Sequence, residues 1–388
     1  MKKTVIMALA LLGLLVAAGC TEEQSSEQAG ELQPDVGMPD SGTPDAQTQD
    51  TTLEPDAGEP DVPEPPEDVP EPPQDTEPDL PPDEPDVPEP PEDTGMEEDS
   101  MDEPDTGGPM GDGCGVDPGA NDRVWTVQHD GRQREFKVHL PPNYDPQART
   151  PVVINYHGRA LNADAQINLS RMLEVSDAQG FIAVHPEGTG SLDRGWNAGL
   201  CCGDALRDEV DDVGFTRVML DALESGLCVD SARVYATGIS NGGFMSHKLA
   251  CELSDRITAI APVAGTIVTF ECEPSRPVPV FQFHGDDDRI VPYDGFAGIA
   301  SVEVTTEGWL ERNGCADTSE VFFDVDDVIC EAWSDCSPGG EVRLCTVRGG
   351  GHTWPGGESL GLFGDLTETI SASEMMWDFF SQHAIPAE

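Results

Sequence analysis

From Val124 onward, short apolar runs alternate with stretches in which apolar residues recur every three or four positions. Continuous or alternating apolar runs predict strands, whereas the longer spacing predicts helices. The predicted strands cover residues 124–127, 134–140, 151–156, 181–184, 233–237, 257–263, 278–283 and 342–347. The predicted helices cover residues 167–179, 211–227, 244–251, 302–313 and 373–383. Because strands and helices alternate after an antiparallel start, we predict an α/β fold whose mostly parallel sheet carries helices on both faces.

The N-terminal part of the chain departs from this pattern. Two lysines precede an apolar run from Val5 to Ala18 that is too short to span a bilayer, which predicts an export signal over residues 1–20. The small residues before Cys20 resemble a bacterial lipobox, so Cys20 is the expected lipidation site. An ordinary signal peptide cleaved near Ala18 is the alternative. We expect an extracytoplasmic lipoprotein, at the cell surface or in the periplasm, that contacts membrane through its lipid anchor only.

Residues 21–113 consist largely of Pro, Asp and Glu, with 32 acidic residues and no Lys or Arg. Proline removes backbone donors and like charges repel, so this segment is expected to be a disordered acidic stalk. Residues 114–388 form the expected folded domain and still carry a net charge of about −25. An acidic surface repels phosphate, which excludes nucleic acid as an expected partner. The oligomeric state does not follow from the sequence.

The folded part contains ten cysteines, and their number bears on its chemistry. After an export signal, an even number favours disulfides over free thiols, here up to five bonds. Their pairing does not follow from their spacing. Because the spacings lack the repeated C-x2-C pattern of zinc sites, no metal site is expected.

The segment Gly238-Ile239-Ser240-Asn241-Gly242 has the form G-x-S-x-G and lies between a predicted strand and a predicted helix. This context is typical of a nucleophile elbow, a strained turn that exposes a serine at the end of a strand. Glycines beside the serine leave room for strand and helix to approach each other. We therefore predict that Ser240 is a catalytic nucleophile.

A serine nucleophile needs a histidine base, and His352 is the predicted one. It follows the strand at 342–347 and precedes the last helix, where the base of such a hydrolase lies in chain order. The other seven histidines fit this role less well, because they precede the sheet, end a strand in a His-Gly pair, or lack a comparable loop: His129, His139, His157, His185, His247, His284 and His383.

The histidine in turn needs a carboxylate, and the loop after the strand at 278–283 contains three consecutive aspartates in His284-Gly285-Asp286-Asp287-Asp288. Asp288 is the favoured residue, because the apolar stretch that follows it returns the chain toward the base. Asp287 is the second choice. The carboxylate would hold the imidazole in one tautomer and stabilise the imidazolium.

Two backbone N–H groups are expected to form the oxyanion hole, one from Asn241 and one from Arg159 in the loop after the strand at 151–156. Three aromatic residues near these motifs are candidates for lining a substrate site, with core packing as the alternative for each: Trp196, Tyr293 and Trp354.

Six motifs together resemble the esterase family of polyhydroxybutyrate depolymerases and feruloyl or acetylxylan esterases. They are His157-Gly158, residues 195–203, 211–215, 238–243, 284–293 and 350–357. The resemblance covers residues 114–385 and implies an α/β-hydrolase fold, secretion, no cofactor, and a triad of Ser240, Asp288 and His352. It also implies disulfides, including a pair between Cys315 and Cys336. Arg159 departs from members of the family that have a cysteine at this position.

The expected function is hydrolysis of carboxylic esters in polymeric or oligomeric substrates through an acyl-enzyme. Feruloyl or acetyl esters of polysaccharide and polyhydroxyalkanoates are both candidate substrates. One alternative is a non-catalytic surface binding protein on a hydrolase scaffold, and another is a peptidase or acyltransferase that uses the same triad.

Overall fold

The computed structural model describes residues 112–386, apart from residues 192, 270, 297, 360 and 362. The expected signal peptide, Cys20 and nearly all of the expected stalk lie outside the described residues, so they stay predictions. Within the described range, no helix has both the length and the apolar character needed to cross a membrane.

The described residues form one sheet of ten strands. In chain order these are β1 (Asp122–His129), β2 (Arg132–His139), β3 (Thr150–Tyr156), β4 (Ile182–Pro186), β5 (Val229–Ile239), β6 (Ala259–Val263), β7 (Val280–Gly285), β8 (Glu320–Val325), β9 (Val328–Trp333) and β10 (Val342–Val347). Their order across the sheet is β1-β2-β4-β3-β5-β6-β7-β10-β9-β8. The six strands from β4 to β10 in this order are parallel, and antiparallel hairpins flank them on both sides.

Helices cover both faces of the sheet, as predicted. They are α1 (Ala163–Ser170), α2 (Met172–Gln179), α3 (Gly203–Arg207), α4 (Asp212–Gly226), α5 (Asn241–Glu252), α6 (Val302–Asn313) and α7 (Ala372–Phe380). Alternate residues of a strand point to opposite faces, so the sheet has two apolar cores. Residues of α4, α5 and α6 pack into one core, and residues of α1, α2 and α7 pack into the other.

Several elements differ from the sequence-based expectation, among them the short helix α3, which was not predicted. The helix predicted over 167–179 is divided at Arg171, which adopts a left-handed conformation with φ 54°. The Ser170 hydroxyl accepts hydrogen bonds from the Met172 N–H and from the side chain of Asn155, and it competes with helical hydrogen bonding at this point. The hairpin of β8 and β9 was not predicted, because most residues of β8 are exposed on both faces and show no alternation.

The ten cysteines of the folded part form five disulfides. The pairs are Cys114–Cys228, Cys201–Cys202, Cys251–Cys272, Cys315–Cys336 and Cys330–Cys345. The pair between Cys315 and Cys336, which the family resemblance implied, is confirmed. Cys330 and Cys345 lie directly opposite each other on β9 and β10, so this disulfide joins neighbouring strands.

Candidate active site

Ser240 lies at the turn between β5 and α5, with φ 58° and ψ −122°. A residue with a side chain adopts such a conformation at a cost of about 1–3 kcal/mol, which the surrounding structure must offset. The Ser240 N–H donates to the carbonyl of Val263 on the neighbouring strand. A Cβ atom on Gly242 would overlap the carbonyl oxygen of Tyr156, so the helix can approach β3 only with glycine there. The sequence therefore folds into the predicted elbow.

Asp288 lies in the loop after β7 with its side chain fully buried. Its Oδ1 accepts hydrogen bonds from the backbone N–H groups of Ile290 and Val291, at 2.8 and 2.9 Å. Its Oδ2 lies 2.7 Å from Nδ1 of His352. The neighbouring Asp287 is exposed and pairs with Arg289 instead. The geometry thus distinguishes the two aspartates that the sequence left open and supports Asp288.

His352 lies in the loop after β10 and is almost completely buried. Its N–H donates to the Phe363 carbonyl at 2.6 Å, and the Asp287 N–H donates to the Gly350 carbonyl at 3.0 Å, so the loops of base and acid are joined. The described hydrogen bonds include none between Ser240 Oγ and His352 Nε2. In hydrolases without substrate this contact is often long and shortens in the substrate complex.

The topology brings the three residues to one edge of the sheet. Ser240, Asp288 and His352 follow β5, β7 and β10, which belong to the parallel part of the sheet and have their carboxyl ends at the same edge. In open α/β sheets, ligands bind at this edge.

The electrostatics of the pair favour a charged carboxylate. Burial by itself raises the pKa of Asp288, but the charge of His352 and hydrogen bonds from His284 and His352 outweigh it and hold the pKa of this carboxyl well below its usual range. An anionic Asp288 accepts a hydrogen bond from the Nδ1–H group of His352. In the neutral imidazole the proton is then on Nδ1, and Nε2 carries none. This is the tautomer that can accept a proton from a serine hydroxyl.

A chain of buried side chains supports Asp288 from behind. Trp309 Nε1 donates to His247 Nδ1 at 3.0 Å, so the proton of His247 is on Nε2, which lies 3.2 Å from the Gln282 side-chain oxygen. The Gln282 amide donates to His284 Nδ1 at 3.1 Å, and His284 Nε2 donates to the Val291 carbonyl at 2.8 Å and lies 3.5 Å from Asp288 Oδ2. Burial lowers the pKa of His247 to about 4, so His247 is neutral above that pH.

The loop after β3 lies directly beside the nucleophile. A Cβ atom built on Gly158 would lie 3.4 Å from the Cβ of Ser240. Among the described residues, neither the backbone N–H of Arg159 nor that of Asn241 has a hydrogen-bond acceptor. Both groups are therefore available to a ligand, as the sequence-based prediction requires, and their role in an oxyanion hole stays a prediction.

Two of the three aromatic residues expected to line a substrate site do not do so. Trp196 and Trp354 are 0% exposed, because their rings belong to the two apolar cores. Trp196 Nε1 donates to the His157 carbonyl, and Trp354 Nε1 donates to the Ser373 hydroxyl. The prediction was wrong for both residues, since an aromatic residue beside a motif looks alike in sequence whether it packs in a core or in a pocket.

Tyr293 is partly buried, and its hydroxyl lies 2.8 Å from Oγ1 of Thr346. Its role in lining the substrate site stays a prediction. Phe363, which the sequence did not indicate, is partly exposed and packs edge-on against His352 with ring centroids 6.2 Å apart. It lies in an irregular loop without periodic pattern, so only the glycine-flanked aromatic in Gly361-Leu362-Phe363-Gly364 could have drawn attention to it.

Comparisons with known proteins found a matching family model, similar sequences and similar solved structures. The model of the prolyl oligopeptidase family (Peptidase_S9) matches residues 167–273. The chain is 33% identical over 270 residues to Feruloyl esterase B of Piromyces equi, with 65% of this chain and 46% of that protein covered. It is 32% identical over 252 residues to Putative esterase NocK of Nocardia uniformis subsp. tsuyamanensis, with 58% of this chain and 72% of that protein covered. A solved acetyl xylan esterase from Aspergillus awamori superimposes with a TM-score of 0.46 and 15% identity, covering 60% of this chain and 94% of that chain.

A parallel sheet that ends in a nucleophile elbow and carries a histidine–carboxylate pair at the same edge is the architecture of an α/β-hydrolase. Putative esterase NocK is 32% identical to this chain, and 72% of its length is covered, so the two proteins belong to one family. This chain belongs to the α/β-hydrolase serine esterases. It spans slightly less than half the length of Feruloyl esterase B, at 46%.

Proposed function

We propose that this protein is a lipid-anchored, extracytoplasmic serine esterase that hydrolyses feruloyl or acetyl esters of polysaccharides or their oligomers. The observation that carries the proposal is the buried contact of 2.7 Å between Asp288 Oδ2 and His352 Nδ1, at the sheet edge that also holds Ser240. A buried carboxylate with a lowered pKa, paired with a histidine at the same sheet edge as a strained serine, is the arrangement that activates a hydroxyl nucleophile.

In the acylation half-reaction, Ser240 Oγ attacks the ester carbonyl carbon and transfers its proton to His352 Nε2. The carbonyl oxygen becomes an oxyanion that accepts hydrogen bonds from the backbone N–H groups of Arg159 and Asn241. As the tetrahedral intermediate collapses, the bond to the alcohol oxygen breaks, and that oxygen takes the proton from His352. Asp288 stabilises the imidazolium in between and keeps its own charge.

Deacylation repeats these steps with water. His352 Nε2 takes a proton from water as the water oxygen attacks the acyl carbon of the Ser240 ester. The resulting oxyanion uses the same two N–H groups. Collapse breaks the bond to Ser240 Oγ, which regains a proton from His352, and the free carboxylic acid leaves. No cofactor is required, because every proton and electron pair stays within these groups, the substrate and water.

The choice of substrate class follows the relatives. The names of Feruloyl esterase B and of the bifunctional acetylxylan esterase/xylanase XynS20E of Neocallimastix patriciarum state ester groups found on polysaccharides. The partly exposed ring of Phe363 beside His352 offers an apolar surface for an aromatic acyl group. Polyhydroxyalkanoate oligomers use the same chemistry and belong in the same test.

Amide cleavage is a second candidate, because the model of the prolyl oligopeptidase family matches residues 167–273, which include Ser240. The match does not extend to Asp288 or His352. The same triad cleaves amides when the leaving amine is protonated by the histidine. A peptide p-nitroanilide therefore belongs among the test substrates.

The test measures turnover by the full-length protein and by Ser240→Ala. The substrates are p-nitrophenyl acetate, methyl ferulate, acetylated xylan, hydroxybutyrate oligomers and a peptide p-nitroanilide. We expect hydrolysis of feruloyl or acetyl esters that falls by about 10⁴-fold or more in the variant. Turnover of the p-nitroanilide above that of every ester would support the peptidase instead. A folded, oxidised wild-type protein that hydrolyses none of these compounds would leave the binding-protein alternative.

The lipid anchor has a separate test, because it depends on the sequence before Cys20 alone. Cells that express the protein are grown with radiolabelled palmitate, beside cells that express Cys20→Ala. Label in the wild-type protein that is absent from the variant supports the anchor. Unlabelled wild-type protein, cleaved near Ala18 and free in the medium, would support the ordinary signal peptide.

A further inference from the structure

Both of the N–H groups proposed for the oxyanion hole belong to residues whose side chains bind the same short segment. This segment, residues 193–197, lies between β4 and α3 and is called the brace below. Arg159 and Asn241 are 82 positions apart in sequence and follow different strands, β3 and β5. Their only common polar neighbour among the described residues is the brace.

Asn241 binds the backbone of the brace through both atoms of its side-chain amide. Its Oδ1 accepts the N–H of Trp196 at 2.7 Å, and its Nδ2 donates to the carbonyl of Trp196 at 3.0 Å. The Asn241 side chain is fully buried. A Cβ atom on Gly195 would lie 2.6 Å from Asn241 Oδ1, so glycine is required for this close approach. The two hydrogen bonds fix the plane of the Asn241 side-chain amide, and they thereby hold the start of α5.

Arg159 binds the brace through an ion pair. Its Nε and Nη2 donate to the two carboxylate oxygens of Asp193, at 2.5 and 2.6 Å, which is the bidentate geometry that restrains an arginine most strongly. The N–H of the next residue, Ala160, donates to the carbonyl of Arg194 at 2.7 Å. The brace therefore holds both the side chain of Arg159 and the peptide that follows this residue.

The brace itself is attached to the body of the domain at its other end. The N–H of Asn197 donates to Asp212 Oδ2 at 2.7 Å, and its side chain donates to the Val210 carbonyl at 3.0 Å. Lys248 Nζ, on α5, donates to the Asn197 carbonyl at 2.9 Å. The Trp196 ring packs in the core. Because the brace is held at each residue, few of its backbone torsions are free to change. The position of one end of the brace therefore determines the position of the other.

We propose that the brace sets the separation and direction of the Arg159 and Asn241 N–H groups, and that the side chains of Asp193 and Asn241 are positioning residues for ester hydrolysis. The proposal rests on the proposed function, because ester hydrolysis is the reaction in which these N–H groups would stabilise an oxyanion. Backbone donors stabilise an oxyanion only when they already point at its position, and one lost donor typically costs about 10²–10³-fold in turnover. The uncharged carbonyl of the bound substrate gains less from these donors than the oxyanion does. Loosening the brace is therefore expected to lower kcat more than it raises KM.

Asp193→Asn is the most informative variant, because Asp193 is partly exposed and its replacement keeps the size of the side chain. We expect kcat for p-nitrophenyl acetate to fall by about 10-fold, with KM changed by less than about two-fold. Asp193→Glu keeps the carboxylate and is expected to recover part of this loss. The Tm is expected to change by less than about 4 °C, as for a partly exposed ion pair.

Asp230→Asn is the matched control. Asp230 pairs with Arg233 at similar exposure, but it lies at the beginning of β5, whereas Ser240 follows the other end of this strand. This variant is expected to keep wild-type kcat and KM. A similar loss of kcat in both variants would show a general effect of charge and overturn the proposal.

The second readout is the affinity for benzyl trifluoromethyl ketone. Ser240 Oγ adds to the ketone carbon, its proton passes to His352, and the ketone oxygen becomes an oxyanion, so the inhibitor reports on the two N–H groups directly. We expect Asp193→Asn to weaken this inhibitor by the factor by which it lowers kcat. Asn241→Ala, which removes both contacts with Trp196, is expected to weaken it by about 10²-fold.

The outcomes separate this proposal from the proposed function. Folded Asp193→Asn and Asn241→Ala variants that keep wild-type kcat and inhibitor affinity would overturn the brace and leave the esterase proposal intact. Wild-type protein without Ser240-dependent turnover of any ester, and without binding of the ketone, would overturn both.

Discussion

Arg134 Nη2 donates a hydrogen bond of 2.7 Å to Asp212 Oδ1, and the side chains of both residues are buried. Arg134 lies on β2 and Asp212 begins α4, so the ion pair joins the sheet to this helix. The guanidinium also lies 3.9 Å over the ring of Phe215. Because the second oxygen of Asp212 accepts the N–H of Asn197, this pair supports the end of the brace.

Replacing Arg134 by Met is expected to lower the free energy of unfolding by about 3–5 kcal/mol, because it leaves the buried carboxylate of Asp212 without its cation. Burial already raises the pKa of Asp212 despite the arginine, so removal of the arginine is expected to raise this pKa further. Urea denaturation measures the change. Arg217→Met, which removes an exposed pair with Asp255, is the control and is expected to cost less than about 1 kcal/mol. Equal losses in the two variants would contradict the prediction.

The two adjacent aspartates give a direct test of the triad. Asp288→Asn is expected to lower kcat by about 10⁴-fold, because an asparagine amide favours the wrong tautomer of His352. Asp287→Asn removes only an exposed pair with Arg289 and is expected to keep kcat within about two-fold. Initial rates with p-nitrophenyl acetate decide the matter. If Asp287→Asn were the inactive variant, the assignment of the carboxylate would be wrong.

Three buried histidines are expected to make the fold sensitive to acid. Burial lowers the pKa of His157 to about 4, of His185 to about 3 and of His247 to about 4. In the unfolded chain these groups take up protons near the ordinary histidine pKa of about 6.5, so the unfolded state binds more protons at pH values between the two. The contribution of these neutral histidines to the free energy of unfolding is therefore fully present above about pH 6.5, and it is lost as the pH drops toward about 4. Urea unfolding at several pH values measures this loss.

The variant His185→Phe tests whether a buried neutral histidine makes the fold sensitive to acid. Neither ring nitrogen of His185 has a hydrogen-bond partner among the described residues, so an apolar ring of similar size is expected to stabilise the fold at neutral pH by about 1–3 kcal/mol. The slope of stability against pH between about pH 6 and 4 is expected to fall by about 1 kcal/mol per pH unit. A variant with an unchanged slope would show that His185 does not contribute to acid sensitivity.

The disulfide between Cys114 and Cys228 joins residues 114 positions apart and is expected to contribute mainly to stability. Replacing both cysteines by serine is expected to lower the free energy of unfolding by about 3–5 kcal/mol, because the unfolded chain gains freedom. Cys228 immediately precedes β5 and Ser240 follows the opposite end of this strand, so kcat is expected to stay within about two-fold. A loss of kcat in a variant that remains folded would contradict this separation.

The sequence was sufficient for the parallel part of the sheet and for the elbow, because both depend on local patterns. The strand over 342–347 and the helix over 302–313 have the predicted ends. The elbow needs only a strand, a helix and glycines within a few residues, and these are visible in Gly238 to Gly243. The chain order of nucleophile, acid and base then restricts the remaining two positions.

The rest depends on contacts between distant residues. Asp287 and Asp288 are chemically the same, and only the turn of the loop after β7 decides which of them contacts His352. The engagement of Asn241 with Trp196 is likewise invisible in sequence, because it joins positions 45 residues apart. Apolar character shows that an aromatic residue will be buried somewhere, but it does not distinguish a core from a pocket, which is why Trp354 was assigned wrongly.

The close packing of Gly242 against the backbone of β3 has a consequence for the diversification of this protein. No side chain fits at that position, so a mutant library over residues 238–243 would yield almost entirely inactive clones. Phe363, by contrast, is partly exposed beside His352 and lies in an irregular loop. If the proposed function holds, evolution of a new acyl preference, in nature or in the laboratory, would proceed by substitution in this loop while the elbow stays constant.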